Sequence, residues 1–141
     1  MFTVIPFKSI GPYIFGVSSL QIESIEGEVA YGQSTNDSQL TSVKHLTVNI
    51  DYKDGVSVFI GLPTYNGAML ENVLIKDQSL LDIYNILNQK TTTFYSDGGS
   101  LIIAKDIGVT CYFEDEKIRE IGIVSESYLE EYLSGMEIVK F

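Results

Sequence analysis

The chain has 141 residues, 45% of them apolar and 20% charged, with nineteen Asp and Glu against nine Lys and Arg and a formal net charge of −10. A chain of this size and apolar content folds as a single domain, residues 1–141, around its own core, needing neither metal nor disulfide, and disorder is excluded by its hydrophobicity. The charge opposes nucleic-acid backbones and anionic membrane surfaces and steers basic proteins inward, although plain solubility accounts for acidity as well.

One cysteine, Cys111, rules out an internal disulfide. Met1 to Lys8 lack the basic region and long apolar stretch of a signal peptide, and no apolar run approaches the ~20 residues of a membrane span. A cytoplasmic address is expected.

Near the start, Gly11-Pro12-Tyr13-Ile14-Phe15-Gly16 sets apolar residues between glycines and a proline, which predicts a bend that buries Tyr13 or Phe15. A short helix is predicted from Ser18 to Glu26, ended by Gly27. Tyr31 to Ser42 is the longest polar stretch and predicts a surface loop, a candidate contact region. His45 falls at a strand start, where a surface or partly satisfied role is expected.

Leu46, Val48, Ile50 and Tyr52 share one face of a predicted strand, and Val56, Val58 and Ile60 alternate along the next. Asp54-Gly55 between them is a hairpin signal, because both turn positions need positive φ. Pro63 is expected to end the second strand, and Asn66-Gly67 to turn the chain into the apolar segment Met69 to Ile75.

Ser79 and Asp82 form a capping-box pattern, followed by Leu80, Ile83, Tyr84 and Leu87 at the spacing of a buried helical stripe, which predicts a helix over 79–90. Asp97-Gly98-Gly99-Ser100 reads as a tight turn, too short for a phosphate loop. Leu101 to Ala104, Gly108 to Phe113 and Ile118 to Val124 are predicted strands, the last two joined by the polar turn Glu114 to Lys117. A third helix is expected from Glu126 to Ser134, stopping at Gly135. The class is therefore α+β, antiparallel meanders with two or three short helices. Ser19 to Ile25 resembles Ser79 to Ile86, which a tandem α/β duplication explains and a shared helix-start signal explains equally.

Catalytic patterns are missing. With one His and one Cys, a metal site has no ligand set, and no cofactor is implied. Cys111 alternates with Val109 and Phe113 on an inward face, as an inert thiol does. No nucleophile elbow or raised-pKa acid stands out, so the chain is not expected to be an enzyme. What remains is acidic surface: Glu23, Glu26 and Glu28; Glu114, Asp115 and Glu116; Glu126, Glu130 and Glu131. These nine are the candidate partner-binding residues, with tyrosines beside them suited to a Lys/Arg-rich protein. Solvated helix faces and hairpin tips account for each cluster without a partner.

Val4 to Ser18, with Gly11-Pro12-Tyr13-Ile14-Phe15-Gly16 at its centre, resembles the opening of small bacterial immunity proteins of contact-dependent and other polymorphic toxin systems. Ile107 to Phe113 followed by Glu116 to Ile121 is similar to the same group, whose usual Met after Phe-Gly is Val17 here. The resemblance implies a protein that binds and blocks a toxin domain, a basic nuclease for preference. Its motifs are turns and strands, so it assigns no site residue. A scaffold module holding a partner peptide, and an enzyme with a carboxylate site, are the competing expectations.

Overall fold

A computed structural model describes residues 1–35, 39–90 and 93–139, Ser34 and Thr35 by backbone alone. In chain order come β1 (Phe2–Ile5), β2 (Ser9–Ile10), β3 (Tyr13–Ile14), α1 (Ser19–Glu26), β4 (Gly32–Thr35), β5 (Leu40–Lys44), β6 (Asn49–Lys53) and β7 (Val56–Pro63). The second half adds β8 (Ala68–Leu70), β9 (Val73–Ile75), α2 (Leu80–Leu87), β10 (Phe94–Ser96), β11 (Leu101–Ala104), β12 (Val109–Glu114) and β13 (Lys117–Val124). A 3₁₀ turn (Glu126–Tyr128), α3 (Leu129–Tyr132) and β14 (Glu137–Val139) complete it. The fold is α+β.

A nine-stranded sheet runs β14-β10-β11-β12-β13-β7-β6-β5-β4, every neighbouring pair antiparallel. A five-stranded sheet runs β3-β2-β1-β8-β9, with β1 and β8 parallel. The main core joins the inner face of the large sheet (Ile50, Ile60, Ile121, Ile123) to the small sheet (Val4, Ile10, Leu70, Ile75) and the helices (Ile22, Ile83, Leu87). A second cluster on the outer face packs Tyr128, Leu129 and Leu133 of the C-terminal segment on Val58, Phe59, Ile103 and Val124.

The two halves repeat one unit at a separation of 61 positions. Ser18 and Ser79 both cap their helices with a full capping box. Ile22 and Ile83 are the corresponding buried residues. β7 and β13 each span eight residues, and the register shifts at Asp51/Tyr52 and at Tyr112/Phe113 correspond. Both hairpin turns place two residues at positive φ: Asp54 (51°) with Gly55 (84°), and Asp115 (53°) with Glu116 (64°). β7 and β13 meet at the centre of the large sheet with Gly61 opposite Gly122, so the halves are related by a near two-fold between these glycines. The outer hairpins keep the order but are slid: Ile50 faces Val43, whereas its counterpart Cys111 faces Ile102. The repeat thus has Ser18, not Ser19, as the partner of Ser79, one residue from the alignment the sequence suggested.

Other expectations also shift. Tyr31 to Ser42 is largely a β-hairpin, β4 with β5, since Ser and Thr suit a strand on a solvated edge; residues 36–38 of that stretch lie outside the described residues. Leu46 is exposed and precedes the strand that begins at Asn49. The α2 helix stops at Leu87, short of residue 90, and the third helix is split into a 3₁₀ turn and one α-turn. Tyr13 is the aromatic buried by the first bend, with Phe15 half-buried.

Candidate functional site

The nine acidic candidates lie in three separate places. Glu23 and Glu26, in α1, are tied to the backbone that follows: Glu23 accepts from Ala30 N (2.6 Å), Glu26 from Leu46 N (2.8 Å) and Thr47 N (3.0 Å). Glu26 also accepts from the Tyr13 hydroxyl at 2.8 Å. Burial, with the Glu26 carboxylate adding to it, pushes the Tyr13 phenol up to about 12. These two carboxylates hold α1 to its loop and to the small sheet. Glu28 stays exposed beside Tyr31, whose phenol it raises.

Glu114, Asp115 and Glu116 stand at the tip of the β12–β13 hairpin, exposed. Glu126 opens the C-terminal 3₁₀ turn. Glu131 pairs with Lys53 on β6, and Glu130 with Lys105 at 3.8 Å, so both help seat the C-terminal helix on the large sheet. Surface pairs of this kind contribute modestly.

His45 and Cys111 are inner residues. His45 is 2% exposed, contrary to a surface role: the chain between β5 and β6 folds it inward, Nε2 lying 2.7 Å from the Tyr52 hydroxyl. Burial lowers its pKa, outweighing the pull of Glu26 and Glu23. The Cys111 thiol is pushed up to about 12 by burial, as an unreactive thiol is. Among the described residues no group of three or more His, Cys, Asp or Glu is placed to hold a metal ion, and no helix is long and apolar enough to cross a membrane.

The structure does assemble a polar site, on the outer face of the large sheet and away from all three clusters. Asn49, Gly61, Gly122, Thr110 and Ile103 form one transverse row, each the register partner of the next. The two glycines leave room for the side chains diagonal to them. The Glu120 carboxylate lies over Gly61, where a Cβ would stand 2.6 Å from Oε1, and the Phe59 ring lies over Gly122. Phe59 and Glu120 occupy corresponding positions in the repeat, but their surroundings differ. Phe59 is stacked by Tyr132 of α3, with centroids 5.6 Å apart and planes at 12°. Glu120 accepts from Asn49 Nδ2 at 2.9 Å and faces Asp51, which is hydrogen-bonded by Ser42.

Burial raises the Asp51 carboxyl above its ordinary range, Ser42 opposing it. Burial is also the first cause at Glu120, with the Asp51 charge adding and Asn49 opposing. Among the described residues neither carboxylate has an ion pair. The two acids flank an open groove of about 320 Å³ over β4, β5 and β6, with Lys44 the basic side chain on its wall. A pair of desolvated carboxylates on an open face attracts an ammonium or guanidinium, whose arrival restores their ionised form.

Sequence reasoning missed this pair because it sought acids close together along the chain, whereas Asp51 and Glu120 meet only through β7. The available signal was periodicity: Asn49 and Asp51 alternate with buried Ile50 and Tyr52, and a glycine stands inside each of the two longest strands. Comparison with family models, with curated proteins and with solved structures returns no match.

Proposed function

We propose that the domain is a binding protein for a basic protein partner, and specifically an immunity protein that neutralises a toxin domain by covering its active site. The observation that carries this reading is the asymmetry of the outer sheet face. The second half of that face is apolar and covered by α3, while the first half is open and presents Asp51 and Glu120. The net charge of −10 supports a basic partner, since the field brings it in and the carboxylates pair with it on arrival. The resemblance of both chain ends to immunity proteins supports the toxin as that partner.

Co-expression with the toxin domain encoded by the neighbouring gene tests the reading. A stable complex and survival of the expressing cells are expected, and failure of both sinks it.

A second reading has its own observation. A cleft of about 390 Å³ opens between the start of α2 and the β11–β12 side of the sheet, lined by Leu80, Leu81, Ile102 and Phe113. An apolar peptide side chain fits such a cleft, as a scaffold module requires. Loss of partner capture by Leu81→Asp, with the large sheet unaltered, favours this second reading.

A further inference from the structure

We propose that the partner docks by adding an extended, basic strand antiparallel to the free edge of β4, with a Lys or Arg of that strand reaching the Asp51–Glu120 pair. This rests on the reading of the domain as a binder of a basic protein and names the surface that reading needs.

The molecule's own repeat supplies the first reason. In the second half β10 is not an edge, because β14 pairs antiparallel with it: Phe94 opposite Val139, Tyr95 opposite Ile138, Ser96 opposite Glu137. The helical stretch leading into β14 covers the outer face of that half. In the first half β4 holds the place of β10, and among the described residues no strand pairs with its outer side. The unit therefore tolerates an added strand at this position, and one of its two copies lacks it.

The edge itself is the second reason. Sheet edges are usually blocked by Lys, Pro or inward charges. The β4 sequence Gly32-Gln33-Ser34-Thr35 contains no charge and no proline, and Gly32 and Gln33 are exposed. Backbone donors and acceptors on such an edge are open to strand addition.

Charge decides the occupant. A second copy of this chain would bring −10 against −10, so self-pairing is opposed. An apolar segment like the one over the second half does not fit either. Where that half offers Ile103, Thr110, Val124 and Phe59, the first offers Ser42, Asn49 and the two carboxylates. A strand carrying Lys or Arg satisfies the backbone edge and the acids together.

The test uses the full chain and a synthetic eight-residue peptide alternating Arg with Val or Thr, read by amide hydrogen exchange at low ionic strength. Slowed exchange of the β4 amides is expected, together with its loss when alternate peptide nitrogens of the probe are methylated, which removes strand pairing but keeps the charge. Asp51→Asn with Glu120→Gln is expected to weaken the peptide about tenfold, the scale of one charge-assisted contact. Equal binding of the methylated peptide, unchanged β4 exchange, or protection at β3, β9 or the α2 cleft instead overturns the proposal. The two readings fail separately. A neighbouring-gene toxin that binds while β4 exchange stays unchanged removes the docking edge and leaves the binding function. A peptide that protects β4 while no toxin binds leaves the edge and removes the toxin.

Discussion

Asp51 and Glu120 face each other on a partly desolvated sheet surface, which has a consequence for stability in the absence of a partner. Both carboxyls are raised above their ordinary values, first by burial. At low pH both folded and unfolded chains carry the proton, and the difference vanishes. As pH rises from the ordinary carboxylate range through the raised values, the unfolded chain gives up its protons first, so stability falls and stays lowered at neutral pH. Glu120→Gln, which retains an acceptor for Asn49, is therefore expected to raise the thermal midpoint at pH 7, with the gain shrinking toward about pH 3, below the ordinary carboxylate values. Melting curves at the two pH values check it; an equal midpoint change at both refutes the electrostatic cause. At this scale the sequence was a poor guide to the candidate site. Local density of Glu marked residues such as Glu26, which fastens a loop, and passed over two acids 69 positions apart along the chain.

At the level of elements much more was legible, because caps and turns are written locally. Ser79 with Asp82 and the Asp54-Gly55 turn stand where the pattern placed them, since each satisfies backbone groups within four residues. Helix ends and the β4–β5 hairpin were less legible: where α2 stops depends on what packs beyond Leu87, and a polar strand looks like a loop until its neighbour is known. The two equivalent hairpin turns differ at their second position, Gly55 against Glu116, both at positive φ. A non-glycine residue in that region costs about 1 kcal/mol or more. Glu116→Gly is accordingly expected to stabilise the protein by a few tenths to about 1 kcal/mol after the entropy cost of glycine, and Gly55→Ala to destabilise it by about 1 kcal/mol. Urea unfolding measures both, and the same experiment separates any binding role of the Glu116 carboxylate from its place in the turn.

For the whole molecule, the duplication sets how the parts depend on one another. A repeat of this kind could form two independent halves, each with its own transition. The observed topology opposes that: the meanders are joined strand to strand at β7 and β13, and β1 bridges the hairpins β2–β3 and β8–β9 within the small sheet. Ile60, Leu62, Ile121 and Ile123, all fully buried, belong to one core that includes residues of both halves. Neither half can unfold without exposing a sheet edge and this shared interior, so unfolding is expected to be a single cooperative step. Ile22→Ala and Ile83→Ala, at corresponding positions in α1 and α2, are each expected to cost about 2–5 kcal/mol. Because the two sites are on different helices and share the core only at large, their effects are expected to add in the double variant. Denaturant curves followed by circular dichroism and by tyrosine fluorescence check both points. Coincident single transitions shifted by either variant support one folding unit. A separate transition moved by Ile22→Ala alone would instead show that the first copy of the repeat, the one bearing the open face, folds by itself.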